Sequence, residues 1–322
     1  MMRMVFAVLA LVSAIASTPT AVAQGWPERP VHFVVPYPPG GNADVVARIL
    51  ANALQAKLGQ SFIVDNKSGG AGAIGALAVA RSSPDGYTFF FTANGPLLFA
   101  PELMKEHPYA WNKDFESVAI VTSTPLVLVV SSKSTIQSFS DFLDRAHKVG
   151  EKMTFASAGM GSSNHLLGEF IQKQLKLKWT TVQYRGTAPA MSDLIGGQVD
   201  FSIDQVNTAG PFIKAGTVRP LAVSSARRWP TLPEVPTMVE LGHPELTAST
   251  FTAIMAPLAT PKAIVAKLNA SLAEVLGVPA IRERVEALGS QIEMMSPEKS
   301  AAFLANESAT WTPIVREVAA QQ

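Results

Sequence analysis

The sequence predicts an α/β fold built from two βαβαβ units, and three observations carry that prediction. Short apolar runs rich in β-branched residues alternate with stretches whose apolar residues recur every three or four positions. The order strand, small-residue loop, helix occurs in two separate segments. Each of those loops opens directly into a helix. Strands alternating with helices imply mainly parallel sheets covered on both faces.

In the first segment, Val31 to Val35 reads as a buried strand, followed by the loop Pro36-Tyr37-Pro38-Pro39-Gly40-Gly41. Val46, Ile49, Leu50, Ala53, Leu54 and Leu58 then mark a helix that Gly59 stops. Ser61 to Asp65 is a second strand, Ser68 to Gly72 a second loop, Ala73 to Arg81 a second helix and Tyr87 to Thr92 a third strand.

The second segment repeats this order. Met153 to Ala156 is a strand, Ser157 to Ser163 a small-residue loop, and Leu166, Leu167, Phe170, Ile171 and Leu175 mark the helix after it. Thr180 to Tyr184 is a strand. Arg185-Gly186-Thr187 leads into a helix with Pro189 near its start and Gly196-Gly197 at its end. Val199 to Ile203 is a third strand, ending at Asp204.

The remaining segments connect these units. Phe115 to Ser131 holds two apolar runs broken at Thr124-Pro125, which suits a crossing between domains. Ile136 to Val149 reads as a surface helix, Leu221 to Val223 and Phe251 to Ala256 as later strands returning toward the first domain, and Arg227 to His243 as a proline-rich ordered loop. Pro261 to Leu276, Ala280 to Leu288 and Pro297 to Ala320 are helical in period.

The N-terminus predicts export. Arg3 is followed by an apolar run from Met4 to Ala16 and then by Ala21-Val22-Ala23, the order of a secretory signal peptide cleaved after Ala23. That run is shorter than the about 20 apolar residues of a spanning helix, and no later stretch is long and apolar enough to be one. The mature chain, from Gln24, is therefore expected to be a soluble periplasmic protein. The 322 residues suffice for two domains, and 48% hydrophobic against 16% charged residues supports a substantial core. Net charge is +1 with no basic run, so nucleic acid is not an expected partner. The absence of cysteine excludes disulfides, zinc-thiolate sites and thiol catalysis.

The chemistry suggested by the loops is anion binding. Ligands in such sheets sit beyond the C-terminal strand ends. Helix N-termini there offer unpaired N–H groups and a favourable dipole. Gly70 to Gly75 matches G-x-G-x-x-G, but the next strand runs into Ala93-Asn94-Gly95 with no acid for a ribose hydroxyl, so no cofactor is expected. Ser157, Ser162 and Ser163 have no legible His-acid pair, no G-x-S-x-G elbow is present, and the histidines lack metal-ligand spacing. A secreted hydrolase or dinucleotide oxidoreductase is the alternative these absences disfavour. Arg185 suits a two-pronged carboxylate contact or solvent, and His165 suits donation to an anion or a packed, capping role.

Several stretches together resemble the Bug family, the extracytoplasmic solute receptors of tripartite tricarboxylate transporters. They are Val34 to Asp44, Gly69 to Gly75, Ser83 to Thr88, Ala156 to Gly159, Tyr184 to Ala190, Gly196 to Asp200 and Leu232 to Thr237. The resemblance implies a non-enzymatic, two-domain periplasmic-binding-protein clamshell of type II that closes on a small carboxylate and delivers it to membrane transporter subunits. A ligand-presenting co-receptor for a sensor kinase would share this sequence pattern. The expected division is residues 24–122 plus 225–322 for one domain and 123–224 for the other, in a monomer. The expected ligand contacts in the first unit are Tyr37, Pro38, Gly40, Gly41 and Asn42, then Gly70, Ala71 and Gly72, then Thr92 and Asn94. In the second unit they are Ser157, Ala158, Gly159, Ser162, His165, Arg185 and Asp204. The chain carries Ala100 where many members have Asn, and Asp204-Gln205 where they have Asp-Asn. Helix starts in both units suggest a ligand anionic at two ends, with Tyr37, Leu97, Leu98 and Phe99 as apolar walls around its aromatic or alkyl middle.

Overall fold

The computed structural model describes residues 25–184 and 186–320. The signal segment and Gln24 lie outside the described residues, and so does Arg185.

The first unit comprises β1 (Val31–Val35), α1 (Asn42–Leu58), β2 (Phe62–Asn66), α2 (Ala73–Ala80) and β3 (Thr88–Ala93). Its strands are parallel in the order β2-β1-β3, with Phe33 aligned to both Val64 and Phe89. A π-helical turn over Gly95–Phe99 then leads into the short helix α3 (Ala100–Leu103). Next comes β4 (Phe115–Ser131), a single strand of 17 residues. The expected break at Thr124-Pro125 is instead where β4 changes partners without interruption. After α4 (Phe139–Val149), the second unit repeats the first with β5 (Thr154–Ser157), α5 (Ser163–Gln174), β6 (Thr180–Gln183), α6 (Thr187–Gly196) and β7 (Phe201–Gln205). Its strands are parallel in the order β6-β5-β7. Asp204 is the penultimate residue of β7, one before the strand end.

Helix α7 (Val206–Lys214) and strand β8 (Val218–Val223) follow, then β9 (Ser249–Pro257), α8 (Lys262–Gly277), α9 (Pro279–Glu286), β10 (Gln291–Ile292) and α10 (Pro297–Ala320). Of the two later strands, β8 stays beside the second half of β4, and only β9 returns to pair with β3. From Phe115 to Pro125, β4 pairs antiparallel with β9. From Leu126 onward it pairs antiparallel with β7 and β8. Two parallel three-stranded units are thus joined through antiparallel central strands.

The helix periodicity is used as predicted. Val46, Leu50 and Leu54 of α1 pack over Phe33, Phe89 and Phe91 together with Leu268 and Leu272 of α8. Burying one such side chain stabilises the fold by about 1.5–3 kcal/mol. In the second unit Phe201 stacks on Phe155 at 5.0 Å and meets Phe142 edge-on at 4.9 Å. Trp311 of α10 contacts Phe99 at 6.1 Å and Phe170 of α5 at 5.4 Å, tying both units to one helix. The proline-rich segment Arg227 to His243 lacks helix and strand, yet it seats Trp229, Leu232 and Val235 against Val127 and Val129.

Candidate ligand-binding site

A cavity of about 1060 Å³ lies where the strand ends of the two units face each other. Among the described residues lining it there is no Asp, Glu, Lys, Arg or His. Polar groups there are backbone amides, hydroxyls and carboxamides.

The first unit brings Tyr37, Pro38, Gly41 and Asn42 to the cavity as expected. Gly41 precedes α1 in an extended conformation, and no side chain caps the helix. The first N–H groups of a helix have no intrahelical acceptor, so this start is left with donors for a ligand. Gly40 turns the other way, and its N–H donates to Asp44 Oδ2 at 2.9 Å. Burial acts to raise the Asp44 carboxyl, but Arg48, Gly40 and Asn66 outweigh it and hold the group below the usual carboxylate range. Asp44 is thereby neutralised by its partners beside the anion site. Desolvation pushes the Tyr37 phenol above its ordinary value, with Tyr109 adding to the effect, so Tyr37 remains an uncharged hydrogen-bonding group.

Ala71 and Gly72 line the cavity, whereas Gly70 does not. A Cβ on Gly72 would lie 2.5 Å from Pro96 and one on Gly75 2.9 Å from the Lys67 carbonyl. Close packing between loop and helix thus accounts for the G-x-G-x-x-G spacing. Helix α2 also starts without a side-chain cap. At the end of β3, Asn94 reaches the cavity and accepts from the Gly95 N–H at 3.2 Å, whereas Thr92 is buried with its hydroxyl turned to the Ala93 carbonyl at 3.3 Å.

In the second unit Ala158, Gly159 and Ser162 reach the cavity and Ser157 does not. This loop is hydrogen-bonded to itself. Ser157 Oγ accepts from the Gly159 N–H at 3.3 Å, and Ser162 Oγ donates to the Gly159 carbonyl at 2.7 Å while accepting from the His165 N–H at 3.2 Å. His165 lies behind the loop, 4% exposed, with Nδ1 accepting from the Gly161 N–H at 3.2 Å and Nε2 3.6 Å from Glu169 Oε1. Burial lowers His165 and raises Glu169, so both favour their neutral forms. His165 holds the loop rather than facing the cavity.

Asp204 also sits one layer behind the wall. Its Oδ1 accepts from Asn164 Nδ2 and from the Gln205 N–H, each at 2.8 Å, and Oδ2 is buried without a partner. Burial pushes this carboxyl upward, which favours a proton on the unpartnered oxygen.

The sequence reading missed the floor. Thr122 and Thr124 of β4 and Thr250 and Thr252 of β9 line the cavity, with the Thr122 and Thr252 hydroxyls 2.7 Å apart. Their signal was present: Thr122 and Thr124 of β4, and Thr250 and Thr252 of β9, are each two residues apart, which puts the two threonines of each strand on one face. Also missed were Asn164, Asn207 and Thr208, which follow from the packing of α5 and α7, and the apolar Leu103 and Phe251, whereas Ala100, Met160 and Gln205, within or beside the expected stretches, line the cavity too. Phe99 reaches the cavity, but Leu97 and Leu98 are buried in the core and form no part of its wall.

Residues 46–320 match the tripartite tricarboxylate transporter family receptor. BugT of Bordetella pertussis is 37% identical over 300 residues, covering 93% of this chain and 92% of BugT. The solved periplasmic binding protein BugD is 35% identical, with a TM-score of 0.74 over 91% of this chain and 98% of BugD. MatC of Rhodopseudomonas palustris, solved with bound malate, is 32% identical with a TM-score of 0.75 over 90% of this chain and 100% of MatC. A second R. palustris protein, Rpa4515, solved with adipate, is 33% identical with a TM-score of 0.77 over 92% of this chain and 98% of its own. With this site geometry and a family match across most of its length, the chain belongs to the receptor family of tripartite tricarboxylate transporters, a family of solute-binding proteins rather than enzymes.

Proposed function

We propose that the protein captures a small organic carboxylate in the periplasm and presents it to the membrane subunits of a tripartite tricarboxylate-type transporter. The observation that carries this reading is a cavity ringed by uncapped helix starts and hydroxyls, with no charged side chain among its described lining residues. Such a site holds an anion by preorganised N–H and O–H donors. The malate and adipate bound by related receptors support a ligand of the same chemical class. Residues 24–122 with 225–322, and residues 123–224, are the two bodies that close on it, and the exported chain begins at Gln24 and acts as a monomer. Of the expected contacts, Tyr37, Pro38, Gly41, Asn42, Ala71, Gly72, Asn94, Ala158, Gly159 and Ser162 remain as direct ones. Asp204 and His165 act from behind them.

The test is a thermal-shift screen of the mature protein against mono-, di- and aromatic carboxylates, followed by calorimetry. A ligand at about 100 times its Kd adds roughly 2.7 kcal/mol of stability. Absence of any carboxylate-dependent shift would refute the reading.

A further inference from the structure

One side chain of the cavity wall is arranged to meet something other than an anion. Asn164, the second residue of α5, lines the cavity while only 6% exposed. Its Nδ2 is turned back to Asp204 Oδ1 at 2.8 Å, and Asp204 stands behind the wall. That bond fixes the amide, and among the described residues no donor meets its Oδ1. The amides of Asn42 and Asn207 are held similarly, by Ser290 Oγ and the Leu288 carbonyl, but their Oδ1 atoms are shut off by burial. Asn164 Oδ1 is not shut off, so of these three acceptors it is the one a ligand can reach. The neighbouring hydroxyls do not serve it. Ser162, Ser163 and Thr208 donate instead to the Gly159 carbonyl, Asn94 Oδ1 and the Gln205 carbonyl.

Free donors lie beside this acceptor. Ser162 caps the His165 N–H, and the Ser163 and Asn164 N–H groups have no acceptor among the described residues. Acceptor and donors together select a functional group. A carboxylate would suit the N–H groups but set a second acceptor against the amide oxygen. An ammonium would suit the oxygen but face the positive end of α5, and no Asp or Glu is among the described lining residues to pair with it. A hydroxyl both donates and accepts, so it satisfies both sides. A ligand without one would leave Oδ1 dehydrated and unpaired.

We propose that the ligand is a hydroxycarboxylate, its carboxylate on the uncapped helix starts of the first unit and its hydroxyl on Asn164, which sets specificity while Asp204 positions it. This rests on the carboxylate-receptor reading above and narrows it.

Malate, succinate and aspartate differ in bearing a hydroxyl, a hydrogen or an ammonium at one carbon. Calorimetry on the mature protein with these three, and with 3-hydroxybutanoate against butanoate, tests the proposal, using both enantiomers of each chiral compound. In at least one series the better hydroxy enantiomer is expected to bind at least about tenfold more tightly than its parent, a difference of about 1.4 kcal/mol. Malate is expected to bind more tightly than aspartate. Asn164→Leu and the smaller change Asn164→Ala should each reduce the hydroxy-to-parent ratio to about threefold or less, with thermal unfolding confirming that the variants fold. Parents binding as tightly as their hydroxy compounds in both series, aspartate binding more tightly than malate, or a ratio unmoved by the variants would overturn the inference while leaving a carboxylate receptor. Failure of every carboxylate to bind would overturn the receptor reading as well.

Discussion

The two βαβαβ units repeat one order of elements but prepare the start of their first helix in opposite ways. In the first unit α1 begins after Gly41 with no cap, although a capped start is worth about 1 kcal/mol. In the second unit α5 begins with Ser162 capping the His165 N–H, and His165 in turn holds the Gly161 N–H. The surface helix α4, far from any ligand role, has a complete capping box between Ser138 and Asp141. A bare helix start at a cavity therefore marks donors kept for a ligand. A satisfied one marks a loop whose shape is fixed in advance. On this view the first unit provides the donors and the second provides a rigid, partly apolar wall.

The comparison is broken most directly at its two glycines. Gly41 sits at φ −74°, and a Cβ there meets nothing closer than the Pro38 carbonyl at 3.9 Å. Gly41→Asp should cap α1, leave the melting temperature unchanged or slightly higher, and lower carboxylate affinity by tenfold or more, because its charge occupies the anion position. Gly159 sits at φ +138° with its N–H already bound to Ser157. Gly159→Val should instead cost about 1–3 kcal/mol of stability through backbone strain. Unfolding and calorimetry on the two variants together decide the matter, and equal loss of stability at both positions would contradict the division of roles.

A smaller effect is expected at the floor. Thr252→Val removes one partner of the 2.7 Å hydroxyl pair with Thr122 at nearly constant volume. A stability loss of about 1 kcal/mol follows from a broken hydrogen bond, with a several-fold loss of affinity if Thr122 then rotates away from the ligand. Unchanged calorimetry would assign both hydroxyls to the scaffold. Smaller again is Ser162→Ala, which uncaps α5 and should cost about 1 kcal/mol. It should change affinity less than Gly41→Asp does, since its donors serve the loop.

The smallest effect is in pH. Burial lowers His165 below its ordinary value, so the folded state keeps it neutral where the unfolded chain binds a proton. The stability it contributes is full above the unfolded value of about 6.5 and is lost as pH falls from there through the depressed folded value. Urea unfolding between pH 7.5 and 5 measures this slope, which His165→Gln should flatten. A slope identical in the variant would remove His165 from the account.

Much of this architecture was legible beforehand. Short β-branched runs bounded by Gly and Pro placed the strands of both units to within a residue or two, because a buried parallel strand tolerates little else. The same local logic placed Gly41, Gly72 and Gly159 in loops at strand ends. The sequence also set what chemistry is absent from the cysteine inventory.

What local pattern left open were relations between distant residues. Whether a loop residue faces the cavity or stands behind it depends on partners far along the chain. Asp204 is held back by Asn164, 40 residues earlier, and Asn42 is held by Ser290, 248 residues later. The hydroxyl floor needed β4 to pair with β9 across more than a hundred residues before Thr122 could meet Thr252. The run at Thr124-Pro125 looked broken because proline lacks an N–H, yet the strand continues there by exchanging β9 for β7 and β8. Sequence by itself determined the elements, because burial and backbone preference act locally. Only the tertiary structure decided which helix starts remained uncapped and which side chains met across the cleft, because hydrogen-bond satisfaction and apolar contact are properties of residues brought together by folding.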